Sequence, residues 1–288
     1  MKKVGFILDS FSCLTQEEAN KLGYGYFPFR VDIDNKIYHD GVDLNKDTLL
    51  KLIAQGNKVQ TSLPSLEIME NVISSMCEEY DMVIYLPISE TLSGAMSAAN
   101  NFTSEYKNFI IIPNRFVADQ FLYVIEYIKN AIEKGLTIND IKKKLALIQK
   151  DTETYIIPFD LKYLINGGRI SNLKKFVLKS VSKMKLLPFI RFHLNENSPA
   201  GIARGYKGAT TQIISKLLDK VKDHKPFSLL EKFHINFVSG INEEVNNDVI
   251  RIFKENKLTF NSVRVNTSVI AVHTGPDAVA VSIMPKIK

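Results

Sequence analysis

The sequence predicts an α/β protein of two domains: residues 1–150 form a parallel sheet flanked by helices, and residues 151–288 an α+β domain with a mixed sheet. Three observations point there. In the first half, short apolar runs alternate with segments of helical periodicity, the pattern of strand–helix–strand units in a parallel sheet. Beyond Asp151 the apolar runs crowd together with turn residues between them, as in hairpins. The chain has 288 residues, 45% of them hydrophobic, and no internal repeat, which is enough to bury two cores of medium size.

In the first half, Val4 to Leu8 reads as a buried strand with Asp9-Ser10 at its carboxyl end. Thr15-Gln16-Glu17-Glu18 has the form of a capping box and starts a helix. Tyr26 to Val31 and Lys36 to Tyr38 are short strands around the turn Asp34-Asn35, and Asn45 caps a helix through Ile53. Val59 to Ser65 reads as a polar loop, and Pro64 fits the first turn of a helix to about Glu79. Met82 to Pro87 is a strand, followed by the small-residue loop from Ile88 to Gly94 and a helix that starts past Gly94. After a strand at Phe109 to Ile112 come two helices, Val117 to Lys134 and Ile138 to Gln149. Gly135 ends the first, and Thr137 with Asp140 starts the second.

In the second half, Tyr155 to Ile157 is a strand, and a short helix leads into Ile165-Asn166-Gly167-Gly168-Arg169-Ile170. Ser171 caps an amphipathic helix, with Leu173, Phe176 and Val177 on its apolar face and Lys174, Lys175 and Lys179 on its polar face. Strands follow at Leu186 to Phe192 and Ala200 to Arg204, then a helix at Thr210 to Val221. Phe233 to Val238 is a strand, Glu243 to Glu255 a helix and Ser262 to Val265 a strand. The chain closes on two strands, Val269 to His273 and Ala278 to Met284, joined by Thr274-Gly275-Pro276-Asp277.

Composition narrows the function. The net charge of +6 favours an acidic partner or an anionic ligand. Cys13 and Cys77 form neither a CxxC nor a metal spacing and fit a reduced, cytoplasmic protein. Val4 to Leu8 is too short for a signal-peptide core, and no apolar run reaches the length of a membrane span. No cluster of His, Asp and Glu has metal-ligand spacing. Gly205-Tyr206-Lys207-Gly208-Ala209-Thr210 has the wrong spacing for a P-loop. The stretch from Leu161 to Asn195 is basic without acidic residues, but aromatics are not interleaved there as in a single-strand nucleic-acid groove, so nucleic acid is not the expected partner.

Four loops carry hydroxyls or glycine at predicted element ends: Asp9-Ser10, Thr61-Ser62, Thr91 to Gly94, and Thr274-Gly275. The carboxyl ends of parallel strands share one crevice, so these loops can converge on a carboxylate or phosphate. No Lys or Arg lies inside the two central loops, so binding there rests on neutral donors. The same residues also serve as ordinary helix caps and turns. A Ser93/His273 pair is conceivable as nucleophile and base of an acyl-ester hydrolase, although no Gly-x-Ser-x-Gly elbow is present.

Taken in order, Asp9-Ser10, Pro28-Phe29 with Tyr38 and Asp40, Thr61-Ser62-Leu63-Pro64-Ser65, Ile88-Ser89 with Leu92-Ser93-Gly94, Tyr163-Leu164 with Gly167-Gly168-Arg169-Ile170, and His273-Thr274-Gly275-Pro276 resemble the DegV family of bacterial fatty-acid-binding proteins. The resemblance implies a fold similar to the substrate-binding subunit of dihydroxyacetone kinase, with one long-chain fatty acid (about C14–C18) buried between the domains. It places the carboxylate on Thr61, Ser93 and the Gly94 amide, with Ser62, His273 and Thr274 beside them. It implies no catalytic residue, cofactor or metal of the protein's own. A separate ATP-dependent fatty acid kinase would phosphorylate the bound acid, meeting this protein at Arg169 with Lys174 and Lys175. Three positions depart from the family pattern: Ala95 where Thr is frequent, Leu187-Pro188 where Lys-Pro is common, and Pro113-Asn114 where Asp-Ser is common. Such a ligand suits neutral donors. At about 0.8 kcal/mol per methylene a C16 tail contributes about 11 kcal/mol gross, so the tail supplies the affinity and the head group sets orientation.

Overall fold

The computed structural model describes residues 3–166, 186–194, 196–221 and 226–287. The chain forms two compact units, one running to Gln149 and including Thr267–Val269, the other made of Lys150–Asn266 and Ile270–Lys286.

In the first unit the order is β1 (Val4–Asp9), a 3-10 turn (Ser10–Ser12), α1 (Gln16–Lys21), β2 (Tyr24–Phe27), β3 (Arg30–Ile33), β4 (Lys36–His39), α2 (Lys46–Gln55), β5 (Val59–Ser62), α3 (Leu66–Glu79), β6 (Met82–Tyr85), α4 (Ala95–Asn100), β7 (Phe109–Ile111), α5 (Gln120–Glu133) and α6 (Ile138–Gln149). Four strands form a parallel sheet in the order β2-β1-β6-β7, with Phe6 opposite both Tyr24 and Ile84. Ile7, Phe27, Val83 and Tyr85 from this sheet are buried against Met69 and Ile73 of α3. Gly5 and Gly25 let α3 lie close: a Cβ on Gly25 would stand 2.8 Å from Val72 Cγ1, and one on Gly5 would stand 2.8 Å from Met76 Cε. Two helix starts follow their sequence signals: Thr15 and Glu18 make the capping box of α1, and Asn45 accepts the N3 amide of α2. α3 starts later than expected, because Ser65 caps it by accepting its N3 amide and leaves Pro64 outside the first turn.

A second, antiparallel sheet has the order β4-β3-β5. Its third strand corrects the expectation of a polar loop at Val59 to Ser65. Val59 and Thr61 pair with Ile33 and Val31 and are half-buried, whereas Gln60 and Ser62 face solvent. Four residues with a single aliphatic side chain carry too little periodicity to announce a strand, and the buried β3 beside them supplies the pairing.

The second unit contains β8 (Glu153–Ile157), α7 (Leu161–Asn166), β9 (Leu186–His193), β10 (Glu196–Arg204), α8 (Gly205–Asp219), α9 (Pro226–Lys232), β11 (Phe233–Ser239), α10 (Glu243–Glu255), β12 (Ser262–Val265), α11 (Ser268–Thr274, whose first two residues group with the first unit) and β13 (Val279–Pro285). Its mixed sheet has the order β10-β9-β8-β13-β11-β12, antiparallel except for β11 beside β12. Tyr155, Phe237, Val281 and Ile283 line the sheet face packed by Ile213 and Leu217 of α8 and by Val249 and Phe253 of α10. Two expectations change here. α8 begins at Gly205 rather than Thr210, its first turn anchored by Tyr206 Oη donating to Asp248 at 2.6 Å. Val269 to His273 is helical rather than a strand, because Asp40 caps it: the carboxylate accepts from the Thr267 hydroxyl and, at 3.4 Å, from the Ser268 amide. Without that distant carboxylate the run Ser268-Val-Ile-Ala-Val reads as β-branched strand. Among the described residues, no helix is long and apolar enough to cross a membrane.

Candidate functional site

The loop between β6 and α4 gathers hydroxyls and amides at the carboxyl edge of the parallel sheet. Leu86 N–H donates to Ile7 C=O at 3.1 Å, extending the sheet by one residue. The chain then folds back on itself: the Ser89 carbonyl accepts the Leu92 amide at 2.9 Å and the Ser93 amide at 3.1 Å. Ser89 and Thr91 hydroxyls lie 3.0 Å apart. Ser93 is buried, and its Oγ accepts the Ala95 amide at 3.2 Å. A hydroxyl that accepts still has one O–H to donate. Gly94, the N-cap of α4, is exposed, and its amide takes no acceptor among the described residues. Ser93 and Gly94 therefore offer two adjacent donors.

The loop after β5 comes to the same place. A Cβ on Gly94 would lie 3.8 Å from Leu63 Cδ1, so the Leu63 side chain stands beside Gly94. Thr61 is half-buried at the end of β5, and Ser62 is exposed. Arg30 Nε donates to the Leu63 carbonyl at 2.8 Å, which ties this loop to β3. Arg30 was invisible as a neighbour in the sequence, where it stands 33 positions before Leu63. The pairing of Arg30 with Ser62 across β3 and β5 is what brings it there.

The Asp9-Ser10 loop turns out to be scaffold. Ser10 Oγ accepts the Phe29 amide at 3.0 Å, and Tyr26 Oη lies 3.0 Å from the Leu14 carbonyl. Asp9 is buried and takes three donors: Phe11 N–H at 2.9 Å, Ile88 N–H at 2.8 Å and Tyr85 O–H at 2.8 Å. Burial pushes its carboxyl up to about 6, against the pull of those donors. Burial likewise raises Asp40 above the usual carboxylate range and the Cys13 thiol to about 11. The Cys13 thiol is thus an inert, protonated group.

His273 and Thr274 lie at the end of α11 and group with the second unit. Thr274 Oγ1 donates to Ile270 C=O at 3.1 Å, a backbone use inside its own helix. The following turn is shaped by two glycines: Gly275 has φ +99°, and Gly240 admits the Asp277 carbonyl to 2.5 Å of where a Cβ would stand. The predicted partner surface, Arg169 with Lys174 and Lys175, lies outside the described residues. Among the described residues, no group of three or more His, Cys, Asp and Glu is placed to hold a metal ion.

Comparison with known proteins identifies the family and the fold. Residues 3–286 match the family model described as "Uncharacterised protein, DegV family". A DegV domain-containing protein of Mycoplasmopsis pulmonis is 30% identical over 286 residues, which cover 98% of this chain and 95% of that one. Among solved structures, a stearic acid-binding protein from Eubacterium ventriosum superposes with a TM-score of 0.82 at 22% identity, covering 99% of each chain. A DegV family protein from Thermus thermophilus, described by its fatty acid binding, superposes with a TM-score of 0.81 at 23% identity, covering 98% of this chain and 99% of that one.

Proposed function

The chain belongs to the DegV family, and we propose that it binds one long-chain fatty acid, with the carboxylate on Thr61, Ser93 and the Gly94 amide and with Ser62 beside them. The observation that carries this reading is the pair of adjacent donors, Ser93 O–H and Gly94 N–H, against the Leu63 end of the Thr61 loop. Neutral donors hold a carboxylate in orientation, and the apolar tail supplies most of the affinity. They also leave the carboxylate nucleophilic, which an arginine fork would oppose.

The finer reading is delivery. The bound acid is presented to a separate ATP-dependent kinase that forms the acyl phosphate, and the basic stretch around Arg169, Lys174 and Lys175 meets that kinase.

The test is native mass spectrometry of the protein purified without added ligand, followed by extraction and lipid identification. A stoichiometric adduct with the mass of a long-chain fatty acid is expected, because a buried tail leaves slowly. A clean apo mass that stays clean after incubation with C14–C18 acids refutes the reading. For delivery, Arg169→Ala should retain the acid and lose phosphorylation by the kinase; equal phosphorylation would remove that assignment.

A further inference from the structure

One peptide unit in the candidate site is held at both ends. The N–H of the Pro87–Ile88 peptide donates to Asp9 Oδ2 at 2.8 Å, and its carbonyl accepts from Asn114 Nδ2 at 3.1 Å. Both side chains are buried, 1% and 4% exposed. They reach the peptide from the two strands that flank β6, Asp9 at the end of β1 and Asn114 just after β7. Each is itself fixed. Asp9 also accepts from Tyr85 Oη and the Phe11 amide, while Asn114 also donates to the Ile112 carbonyl at 3.2 Å and accepts the Phe116 amide at 3.1 Å. Such a peptide plane cannot rotate without breaking a buried hydrogen bond. Two residues beyond Pro87, the Ser89 carbonyl receives the Leu92 and Ser93 amides, so the turn that delivers Ser93 and Gly94 starts just past the clamped plane.

We propose that Asp9 and Asn114 are positioning residues for ligand binding: by clamping one peptide plane from the two flanking strands, they set the loop that presents Ser93 and the Gly94 amide to a carboxylate. The inference rests on the fatty-acid reading above for its ligand, but the clamp itself is independent of any ligand.

The clamp has a pH signature. Tyr85 O–H and Ile88 N–H share Oδ2 of Asp9, and a proton added there turns that oxygen into a donor and weakens its hold on the Ile88 amide. Burial places this titration at about 6. The titratable groups facing Asp9 are Tyr85 on β6 and Tyr26 on β2, both pushed well above their ordinary value by burial and so neutral throughout. Asp40 and Cys13 lie beyond Tyr26, and burial raises both. Among the described residues, no ion pair reaches Asp9.

The experiment is hydrogen exchange of residues 86–94 in ligand-free protein from pH 4.5 to 8, corrected for intrinsic rates, alongside fatty-acid affinity at each pH. In the wild type, opening of this segment should rise as pH falls through about 6. Tyr85→Phe removes a donor that favours the charged carboxylate, so its midpoint should move to higher pH. Asn114→Ala should raise opening and weaken affinity by about tenfold at pH 8 without moving the midpoint. Unchanged exchange in β2 shows that both variants are folded. A Tyr85→Phe midpoint equal to the wild type, or an Asn114→Ala segment as protected as the wild type, overturns the clamp. A wild type that shows the clamp but takes no fatty acid at pH 8 overturns the fatty-acid reading, and the positioning role with it.

Discussion

Ser93 shows how one side chain can serve fold and ligand together. Its Oγ accepts the Ala95 amide, and its single O–H is left to donate. Replacing Ser93 by Ala should therefore fray the start of α4 slightly and remove a ligand donor. We expect Ser93→Ala combined with Thr61→Ala to lower fatty-acid affinity by roughly tenfold per hydroxyl, the cost of a hydrogen bond to a charged group, as measured by equilibrium titration with a radiolabelled acid. Equal affinity in the double variant would remove the head-group assignment. In the second unit, Glu153 shows a purely structural use of charge. It is buried, and burial works to raise its pKa, but Tyr155 Oη at 2.7 Å, Lys220 at 3.0 Å and Arg191 at 3.5 Å hold it below the ordinary value. Its contribution is therefore present above about pH 4.5 and fades as pH falls through the lowered value. Lys220→Met should cost about 1–3 kcal/mol at pH 7 and progressively less as pH falls below about 4.5, read by urea denaturation. The loops at Asp9-Ser10, Thr61-Ser62 and Ser93-Gly94 were legible from the sequence because their motifs are local. The backbone partners of Arg30, Asp9 and Asn114 were not, because each lies many positions away.

Elements were legible where they carry their own signals. The capping box at Thr15, the cap at Asn45 and the helix Glu243–Glu255 need no distant partner. The segments read as loop and as strand, β5 and α11, do need one. β5 exists because β3 offers an edge, and α11 exists because Asp40 caps it. The seating of α3 on the parallel sheet yields a test at this scale. Gly25 faces Val72 Cγ1 at 2.8 Å and Ile7 Cγ1 at 3.0 Å from an added Cβ. Gly25→Ala should overpack that contact and destabilise the first unit by about 1–3 kcal/mol, lowering the urea midpoint at unchanged m-value. A stabilised variant would mean that α3 is free to move outward.

At the scale of the whole molecule, Asp9 links site geometry to stability. Folded Asp9 keeps its proton up to about 6, whereas the ordinary value is 3.8. Its contribution is fully present below 3.8 and is lost as pH rises to about 6, a difference of about 3 kcal/mol. Asp9→Asn should remove that slope from the stability curve between pH 4 and 6, read by urea denaturation at each pH, while opening the 86–94 loop. The same carboxylate that costs global stability when charged gives the loop its order, a cost the fold bears at the site. The sequence by itself determined the alternation of strands and helices, the mixed sheet of the second half, the family and the hydroxyl loops. All of these rest on local periodicity, capping and short motifs that fold and family alike preserve. Only the tertiary structure decided that Thr267–Val269 joins the first unit, that Ser10 is spent on scaffold, and that Asp9 and Asn114 meet on one peptide. The physical reason is that a buried donor finds its acceptor through space, and spacing along the chain does not encode which one it will be.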